Sequence, residues 1–206
     1  MPPPGRLARA GGARESGPLR RRGVLGPAPP RLRRSGRAGT ADRAGTGRVF
    51  TGDRSGDFLW SALYATGFAD RASSRRADDG LTLAGAYIAA AVRCAPPLNR
   101  PTNEERDACA PFLARELALL EGVRVIVPLG GFGWHAALRA TATLGIEVPR
   151  PRPRFGHGAE AAAGPYRLVG SYHPSQQNTF TGRLTPAMFE AILRRARQLA
   201  GESRAG

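Results

Sequence analysis

The residues best suited to chemistry form a polar run near the carboxyl end of the chain, Ser171-Tyr-His-Pro-Ser-Gln-Gln-Asn-Thr179. Residues 167–170 before it predict a strand, and Pro174 prevents that strand from continuing because it lacks a backbone N–H. In open α/β sheets, ligands bind in the crevice just beyond the carboxyl ends of strands. The imidazole of His173, among hydroxyl and amide side chains, therefore predicts a site. Considered alone, such a polar loop is as often a solvated connection.

Two further polar residues, Asp53 and Asn99, are candidates for a site. Asp53 is the carboxylate at the centre of a glycine-punctuated segment, 47–56. Asn99 lies in a loop made rigid by three prolines, 94–101. Each has an ordinary structural explanation as well: Asp53 could cap a helix and Asn99 could occupy a turn.

The elements that must position these residues alternate between strand and helix. Apolar runs predict strands at 81–92, most strongly over 87–92, and at 123–129 and 167–172. Helical spacing and capping residues predict helices at 57–65, 102–120, 134–144 and 186–199, and 155–165 is a candidate hairpin.

This alternation predicts an α/β fold, a three-layer αβα sandwich with a central, mostly parallel sheet. The loops 94–101, 130–133 and 173–179 then share one edge of the sheet. Asn99 and His173, although distant in sequence, can therefore face a single ligand.

Length and composition narrow the possible functions. The 206 residues suffice for one domain with a sizeable core, and no apolar run approaches the length of a membrane span. The formal net charge is +15, every basic residue is arginine, and residues 47–206 carry roughly six of these charges. This balance favours a polyanionic partner such as DNA. Two cysteines and the lack of a signal peptide predict a cytoplasmic, nucleoid-associated protein, with a monomer as the default.

Residues 1–46 differ in composition from the rest of the chain. They are rich in Arg, Gly, Pro and Ala and contain no aromatic residue. Such a segment cannot bury enough apolar surface to offset its ordering entropy, so we predict that it is disordered. Three interpretations stay open: a nucleic-acid-binding tail, a targeting segment, or residues from outside the native reading frame.

Three separated motifs resemble one protein family. They are Gly47-Arg-Val-Phe-Thr-Gly-Asp-Arg-Ser-Gly-Asp-Phe-Leu59, Ala91-Val-Arg-Cys-Ala-Pro-Pro-Leu-Asn-Arg-Pro101 and Ser171-Tyr-His-Pro-Ser-Gln-Gln-Asn-Thr-Phe-Thr-Gly182. In this order they resemble the uracil-DNA glycosylase superfamily, specifically its broad-specificity family 5. Family 4 usually has an Asn at the position of Ala90, which disfavours it. The resemblance implies a uracil-DNA glycosylase-like domain over 47–206.

The resemblance also implies an activity, the hydrolysis of the N-glycosidic bond of uracil, and of other deaminated bases, in DNA. The base must first be extruded from the double helix into a pocket. Phe50, which alone would be read as a core residue, would stack on the extruded base. Asp53 would orient or activate the attacking water. Asn99 and His173 would complete the catalytic set through contacts to the water, the departing base or the adjacent phosphate.

Further contacts to the base and to the DNA backbone are implied by the same motifs. The residues that would bind the base or enter the minor groove are Gly52, Ser175, Gln177 and Asn178. The residues that would bind phosphates are Arg93, Arg100 and Arg183.

A 4Fe–4S cluster is implied too, and Cys94 and Cys109 match two of its four thiolate ligands. In the family the other two form a Cys-x-x-Cys pair near the amino terminus, but this sequence contains only two cysteines. The family's first strand, which precedes Phe-Thr-Gly-Asp, is also missing here. Our hypothesis is that residues 1 to about 46 arise from a shifted frame or a wrong start, which explains both differences.

Two other functions stay as alternatives. Because the first strand and two cluster ligands are missing, the chain could be a catalytically impaired DNA-binding remnant, with salt-sensitive, lesion-independent binding. It could also be a different α/β hydrolase, although its sequence has neither a nucleophile elbow nor a phosphate-binding loop.

Overall fold

A computed structural model describes residues 50–51, 53–76, 78–92 and 101–202. Within them the elements in chain order are α1 (Arg54–Ala65), α2 (Asn103–Leu119), β1 (Val125–Ile126), α3 (Gly130–Thr143), β2 (Glu160–Ala163), β3 (Tyr166–Val169), α4 (Gln176–Phe180) and α5 (Pro186–Glu202). Helices combined with a small sheet make this an α/β fold, as predicted. Within the described part of the chain, no helix has the length and apolar character that crossing a membrane requires.

The three described strands form one mixed sheet in the order β1-β3-β2. β1 runs parallel to β3, with Val125 opposite Arg167, whereas β2 runs antiparallel to β3, with Ala163 opposite Tyr166. The prediction of a mostly parallel sheet is therefore wrong for one of these two pairings. Only Gly164 and Pro165 connect β2 to β3, and so short a connection can join antiparallel strands but not parallel ones. A hairpin is present, but β2 and β3 form it over 160–169 rather than within 155–165 as predicted.

Apolar side chains of β3 alternate between two clusters that involve different helices. Leu168 belongs to the cluster that contains Trp134 of α3, whereas the next residue, Val169, belongs to the cluster that contains Ile192 of α5. Successive strand residues point to opposite faces, so helices pack on both faces of the sheet. A third cluster joins α1 to α5 and includes Trp60.

The carboxyl ends of β1 and β3 meet at one edge of the sheet. The N–H of Gly130 donates to the carbonyl of Ser171 at 2.7 Å, and the N–H of Ser171 donates to the carbonyl of Pro128 at 3.1 Å. The segments after these two strands therefore lie side by side, as predicted for 130–133 and 173–179. The third predicted loop falls largely in 93–100, outside the described residues.

Capping residues mark the starts of the first two helices, as the sequence predicted. The Asp53 carboxylate caps α1 by accepting from the N–H of Gly56 at 2.7 Å. Thr102 and Glu105 form the predicted capping box at the start of α2. In contrast, α3 begins at Gly130 rather than at the predicted Trp134. The prediction missed the first turn because its glycines give no helical spacing of apolar residues.

Two strand predictions need correction. Residues 81–92 form no strand; Leu83 makes only an isolated antiparallel bridge with Ala69. A strand requires a backbone ladder with a neighbouring strand, and the sheet of the described residues does not include 87–92. The strand predicted at 123–129 is limited to β1, because Pro128 cannot donate to a ladder.

Candidate active site

Two segments that are distant in sequence meet at this edge of the sheet. The ring centroids of Phe50 and His173 lie 5.7 Å apart, and the ring planes are tilted by 36°. Asp53 follows shortly after Phe50 and acts electrostatically on the imidazole of His173. The structure thus brings together an aromatic face, a carboxylate and an imidazole, all three of them predicted site residues.

The backbone of Phe50 is left-handed, with φ of 58°, which is an outlier for a bulky residue. Two contacts from α1 hold it in place. The indole N–H of Trp60, which is 1% exposed, donates to the Phe50 carbonyl at 2.6 Å. A Cβ added to Gly56 would lie only 2.1 Å from the same carbonyl oxygen. The core therefore maintains a strained conformation at the site and fixes where the Phe50 ring lies.

Asp53 is exposed, and its Oδ1 accepts from the N–H of Gly56 at 2.7 Å. The interpretation of Asp53 as a helix cap is therefore confirmed. No described residue donates a hydrogen bond to its second carboxylate oxygen. One carboxylate can thus cap α1 and, through its other oxygen, bind a water molecule or face a positive charge.

His173 is partly buried beside the first turn of α3. A Cβ added to Gly130, whose φ is 78°, would lie 3.4 Å from the Cβ of His173. Burial lowers the pKa of His173 below its ordinary value of 6.5, while the charge of Asp53 acts in the opposite direction. At neutral pH the imidazole is therefore uncharged, with one ring nitrogen as donor and the other as acceptor.

The polar residues after His173 form the short helix α4 rather than the predicted loop. Ser175 caps this helix by accepting from the N–H of Asn178. The side-chain amide of Asn178 donates to the carbonyl of His173 at 2.9 Å. Gln177 is exposed. Ser175 and Asn178 therefore hold the segment that carries His173, whereas Gln177 faces solvent.

A layer of stacked groups that the sequence did not predict lies next to His173. The guanidinium of Arg183 lies 4.5 Å from the ring centroid of Tyr172, and the imidazole of His157 stacks on the same ring at 5.0 Å. His157 Nδ1 accepts from the N–H of Tyr172 at 3.2 Å, and burial lowers the pKa of His157. The available signal was a histidine between two glycines, which is too common to identify a site.

Five predicted site residues lie outside the described residues: Gly52, Arg93, Cys94, Asn99 and Arg100. Their roles stay predictions. The structure therefore places Phe50, Asp53 and His173 together, with Ser175, Asn178 and Arg183 around them.

The cysteines do not fit a complete 4Fe–4S cluster. Cys109 is buried on α2, and Cys94 is the only other cysteine in the sequence. Such a cluster normally takes four thiolates. In the part of the chain that the structure describes, no group of three or more His, Cys, Asp and Glu side chains could hold a metal ion.

The arrangement suits a flat, polar ligand and the hydrolysis of a bond to it. An aromatic ring can stack on the ligand while a neutral imidazole forms a hydrogen bond to its edge. A nearby exposed carboxylate can orient a water molecule and stabilise positive charge that develops during bond cleavage.

Comparisons with known proteins point in the same direction. A sequence model of the uracil DNA glycosylase superfamily matches residues 24–197. The match therefore begins inside the segment 1–46, which was predicted to be disordered. The Type-5 uracil-DNA glycosylase of Mycobacterium bovis is 52% identical over 176 residues, 84% of this chain and 64% of that protein. The Type-5 enzyme of Thermus thermophilus is 48% identical over 157 residues, 76% of this chain and 69% of that protein.

A more distant relative is the Type-5 uracil-DNA glycosylase of Pyrobaculum aerophilum. It is 42% identical over 156 residues, which cover 76% of this chain and 66% of that protein. The chain thus spans about two thirds of the length of the curated relatives it matches, and slightly less, 64%, for the Mycobacterium bovis protein.

Proposed function

The chain belongs to the uracil DNA glycosylase superfamily, and on this premise we propose that it is a monofunctional uracil-DNA glycosylase. It would remove uracil and other deaminated bases from DNA and leave an abasic site, the first step of base excision repair. One observation carries the proposal: the rings of Phe50 and His173 lie 5.7 Å apart beside the carboxylate of Asp53.

The first requirement of this reaction is a surface that receives the extruded base. Uracil inside a duplex is inaccessible, so it must leave the base stack before its glycosidic bond can react. The Phe50 ring offers a flat apolar face whose position is fixed by Trp60 and Gly56. Stacking on this face would hold uracil with its polar edge toward His173.

Hydrolysis then breaks the bond between C1′ of the sugar and N1 of uracil. The oxygen of water bonds to C1′, one of its protons passes to the carboxylate of Asp53, and the bonding electron pair leaves with the base as the uracil anion. Positive charge develops on the sugar in the transition state, and the carboxylate of Asp53 would stabilise it while orienting the water. Negative charge develops on uracil, and the neutral imidazole of His173 would donate a hydrogen bond to it.

The remaining predicted residues have supporting roles in this proposal. Asn99 would contact the water or the base, and Gly52 would line the base pocket. Gln177 would enter the minor groove from a segment shaped by Ser175 and Asn178. The phosphate contacts would be Arg93, Arg100 and Arg183.

Two observations support an active enzyme over a DNA-binding remnant. The relatives at 42–52% identity are named as uracil-DNA glycosylases. Asp53 and His173, which carry the proposed chemistry, are present and lie in one site. A remnant that only binds DNA could use Asp53 as a helix cap, but it would have no need of an imidazole beside that carboxylate.

The proposal also covers the architecture of the chain, its domain bounds, its cysteine pair, its partner and its location. Helices on both faces of the sheet support a three-layer αβα sandwich. From the resemblance to the family, we propose that its first strand is missing. We keep 1–46 as a separate segment that precedes the glycosylase domain at 47–206, and Cys94 with Cys109 as an incomplete cluster site. DNA is the partner, and we propose a monomer in the cytoplasm, associated with the nucleoid.

The test is a base-release assay on the full 206-residue chain. An oligonucleotide with a single uracil is incubated with the protein, and alkali then cleaves the strand at abasic sites. We expect cleavage that depends on uracil and is lost in Asp53→Ala. Salt-sensitive binding without any cleavage would support the remnant instead.

A further inference from the structure

Residues 155–159 run alongside the end of β3, just before the candidate site, and belong to none of the three family motifs. The N–H of Gly158 donates to the carbonyl of Gly170 at 2.8 Å, and the N–H of Gly170 donates to the carbonyl of Ala159 at 2.8 Å. A Cβ added to Gly170 would lie only 2.4 Å from the carbonyl oxygen of Gly156. These residues, which we call the brace, therefore lie in close contact with the strand end.

A side chain of the brace continues this ladder by one position. The N–H groups of successive residues in a strand alternate between its two neighbours. The N–H of Ser171 donates to the carbonyl of Pro128 on the β1 side, at 3.1 Å, so the N–H of Tyr172 points back to the brace. There it donates to Nδ1 of His157 at 3.2 Å. His157 thus holds the backbone one residue before His173.

The hydrogen bond also sets the position of the proton on the His157 ring. Burial lowers the pKa of His157 below its ordinary value of 6.5, so the imidazole is neutral at neutral pH. A neutral imidazole whose Nδ1 accepts a hydrogen bond carries its proton on Nε2. His157 therefore offers Tyr172 an acceptor at neutral pH.

The brace is tied to the core. The ring of Phe155 meets the ring of Tyr172 edge-on at 6.2 Å and the ring of Trp134 edge-on at 6.2 Å. Trp134 is fully buried, and its indole N–H donates to the carbonyl of Pro153 at 2.9 Å. The imidazole of His157 stacks on the Tyr172 ring at 5.0 Å. Both the backbone and the ring of Tyr172 are thus connected to the core.

We propose that His157 is a positioning residue for the glycosylase reaction, because the hydrogen bond that it accepts from the Tyr172 N–H fixes the backbone that places the imidazole of His173. This inference rests on the proposed function and adds a residue to which no motif assigned a role. The Asn178 amide holds the carbonyl of His173, on the other side of that residue. The backbone is therefore held both before and after the side chain that would contact uracil.

Positioning of this kind has a kinetic consequence. The hydrogen bond from His173 to uracil strengthens as negative charge develops on the departing base, and its strength depends on where the ring lies. A residue that acts only through the placement of His173 should therefore affect the transition state more than the bound substrate. Its loss should lower kcat and leave KM nearly unchanged.

The experiment separates the acceptor of His157 from its flat ring. His157→Phe keeps a ring against Tyr172 but has no acceptor, whereas His157→Asn loses the ring but places Oδ1 near the position of Nδ1. The matched control is His135→Phe, at an exposed histidine of α3. For uracil release from a duplex oligonucleotide, we expect His157→Phe to lower kcat about tenfold to a hundredfold, with KM changed by about twofold or less. His157→Asn should recover most of the loss, and the control should match the wild type.

The kinetic outcomes that would overturn the proposal are distinct. An unchanged kcat in His157→Phe would show that the hydrogen bond has no effect on His173. Equal losses of kcat in His157→Phe and His157→Asn would assign the effect to the stacked ring instead. Urea unfolding of each variant checks that it is folded under the assay conditions.

A second readout needs no turnover. In the nuclear magnetic resonance spectrum of protein labelled with ¹⁵N at histidine, we expect wild-type His157 to be protonated on Nε2 and not on Nδ1. The ring resonances of His173 should shift in His157→Phe and stay near their wild-type positions in His157→Asn. A protonated Nδ1 in the wild type, or unshifted His173 resonances in His157→Phe, would overturn the proposal. These resonances decide the role of His157 even if the wild type releases no uracil, an outcome that would refute the proposed function.

Discussion

The Phe50 ring lies 5.7 Å from the imidazole of His173, and the two residues are held there by unrelated parts of the fold. Phe50 is fixed by the first turns of α1, through Gly56 and Trp60. His173 is fixed by the end of β3 and by α4, through Asn178. The distance between the rings therefore depends on how α1 packs against the sheet edge, and it can be altered from positions that never touch a substrate.

Gly56→Ala is the most direct way to displace Phe50. Alanine in a helix is ordinarily stabilising, but here the new Cβ would lie 2.1 Å from the Phe50 carbonyl oxygen. We expect a loss of about 1–3 kcal/mol in the free energy of unfolding, together with reduced uracil release. Urea unfolding and the base-release assay measure the two effects. The matched control is Gly201→Ala in α5, where no atom lies within 4 Å of the added Cβ; equal effects in the two variants would contradict the prediction.

Substitutions of Asp53 separate its two roles. Asparagine is a good helix cap, so Asp53→Asn keeps the cap but removes the charge. We expect uracil release to fall by roughly 10²–10⁴-fold at nearly unchanged thermal stability. Asp53→Ala should lose the same activity and about 1 kcal/mol of stability as well. Substantial activity in Asp53→Asn would show that the carboxylate serves only as a cap.

The amide of Asn178 should act on activity through His173. Asn178→Ala removes the donor to the His173 carbonyl, and Asn178→Asp places a carboxylate oxygen against that carbonyl. We expect both to lower uracil release, by roughly tenfold to a hundredfold, with the greater loss in the aspartate variant. Gln198→Ala, exposed on α5, is the control. An aspartate variant as active as wild type would argue that the hydrogen bond has no positioning role.

Stability should depend on pH through His173 and His157. Burial lowers the pKa of each below its ordinary value of 6.5, so below that pH the unfolded chain binds more protons than the folded one. The stabilising contribution is therefore complete above pH 6.5 and is lost as the pH falls through the folded-state pKa. Urea unfolding at several pH values should show a smaller decrease in His173→Asn and His157→Asn than in wild type. Identical pH dependence in all three proteins would contradict this.

Local chemical signals predicted much of the fold. The Asp53 cap and the Thr102–Glu105 capping box depend on a few adjacent residues, and each is present in the structure. The strand predicted at 81–92 failed because a strand depends on a distant partner, which no local pattern reveals. The helix α4 was missed because five residues are too few for helical spacing to appear.

The candidate site also has a part that the sequence predicted and a part that it did not. The motifs predicted Phe50, Asp53 and His173, and the resemblance to the superfamily is confirmed by the family match. The residues that position them were not predictable. Trp60 is a buried core residue, and only the fold shows that its N–H reaches the Phe50 carbonyl.

The hydrogen bond from Trp60 to Phe50 has an optical consequence. The sequence contains two tryptophans, and the other, Trp134, donates to the carbonyl of Pro153 in a different cluster. Indole emission responds to its hydrogen-bond acceptor, so a shift in the Phe50 backbone would change the fluorescence of Trp60 and leave Trp134 as a constant background. The emission of Trp60 should thus report on any displacement of the Phe50 backbone, including in variants too slow for turnover.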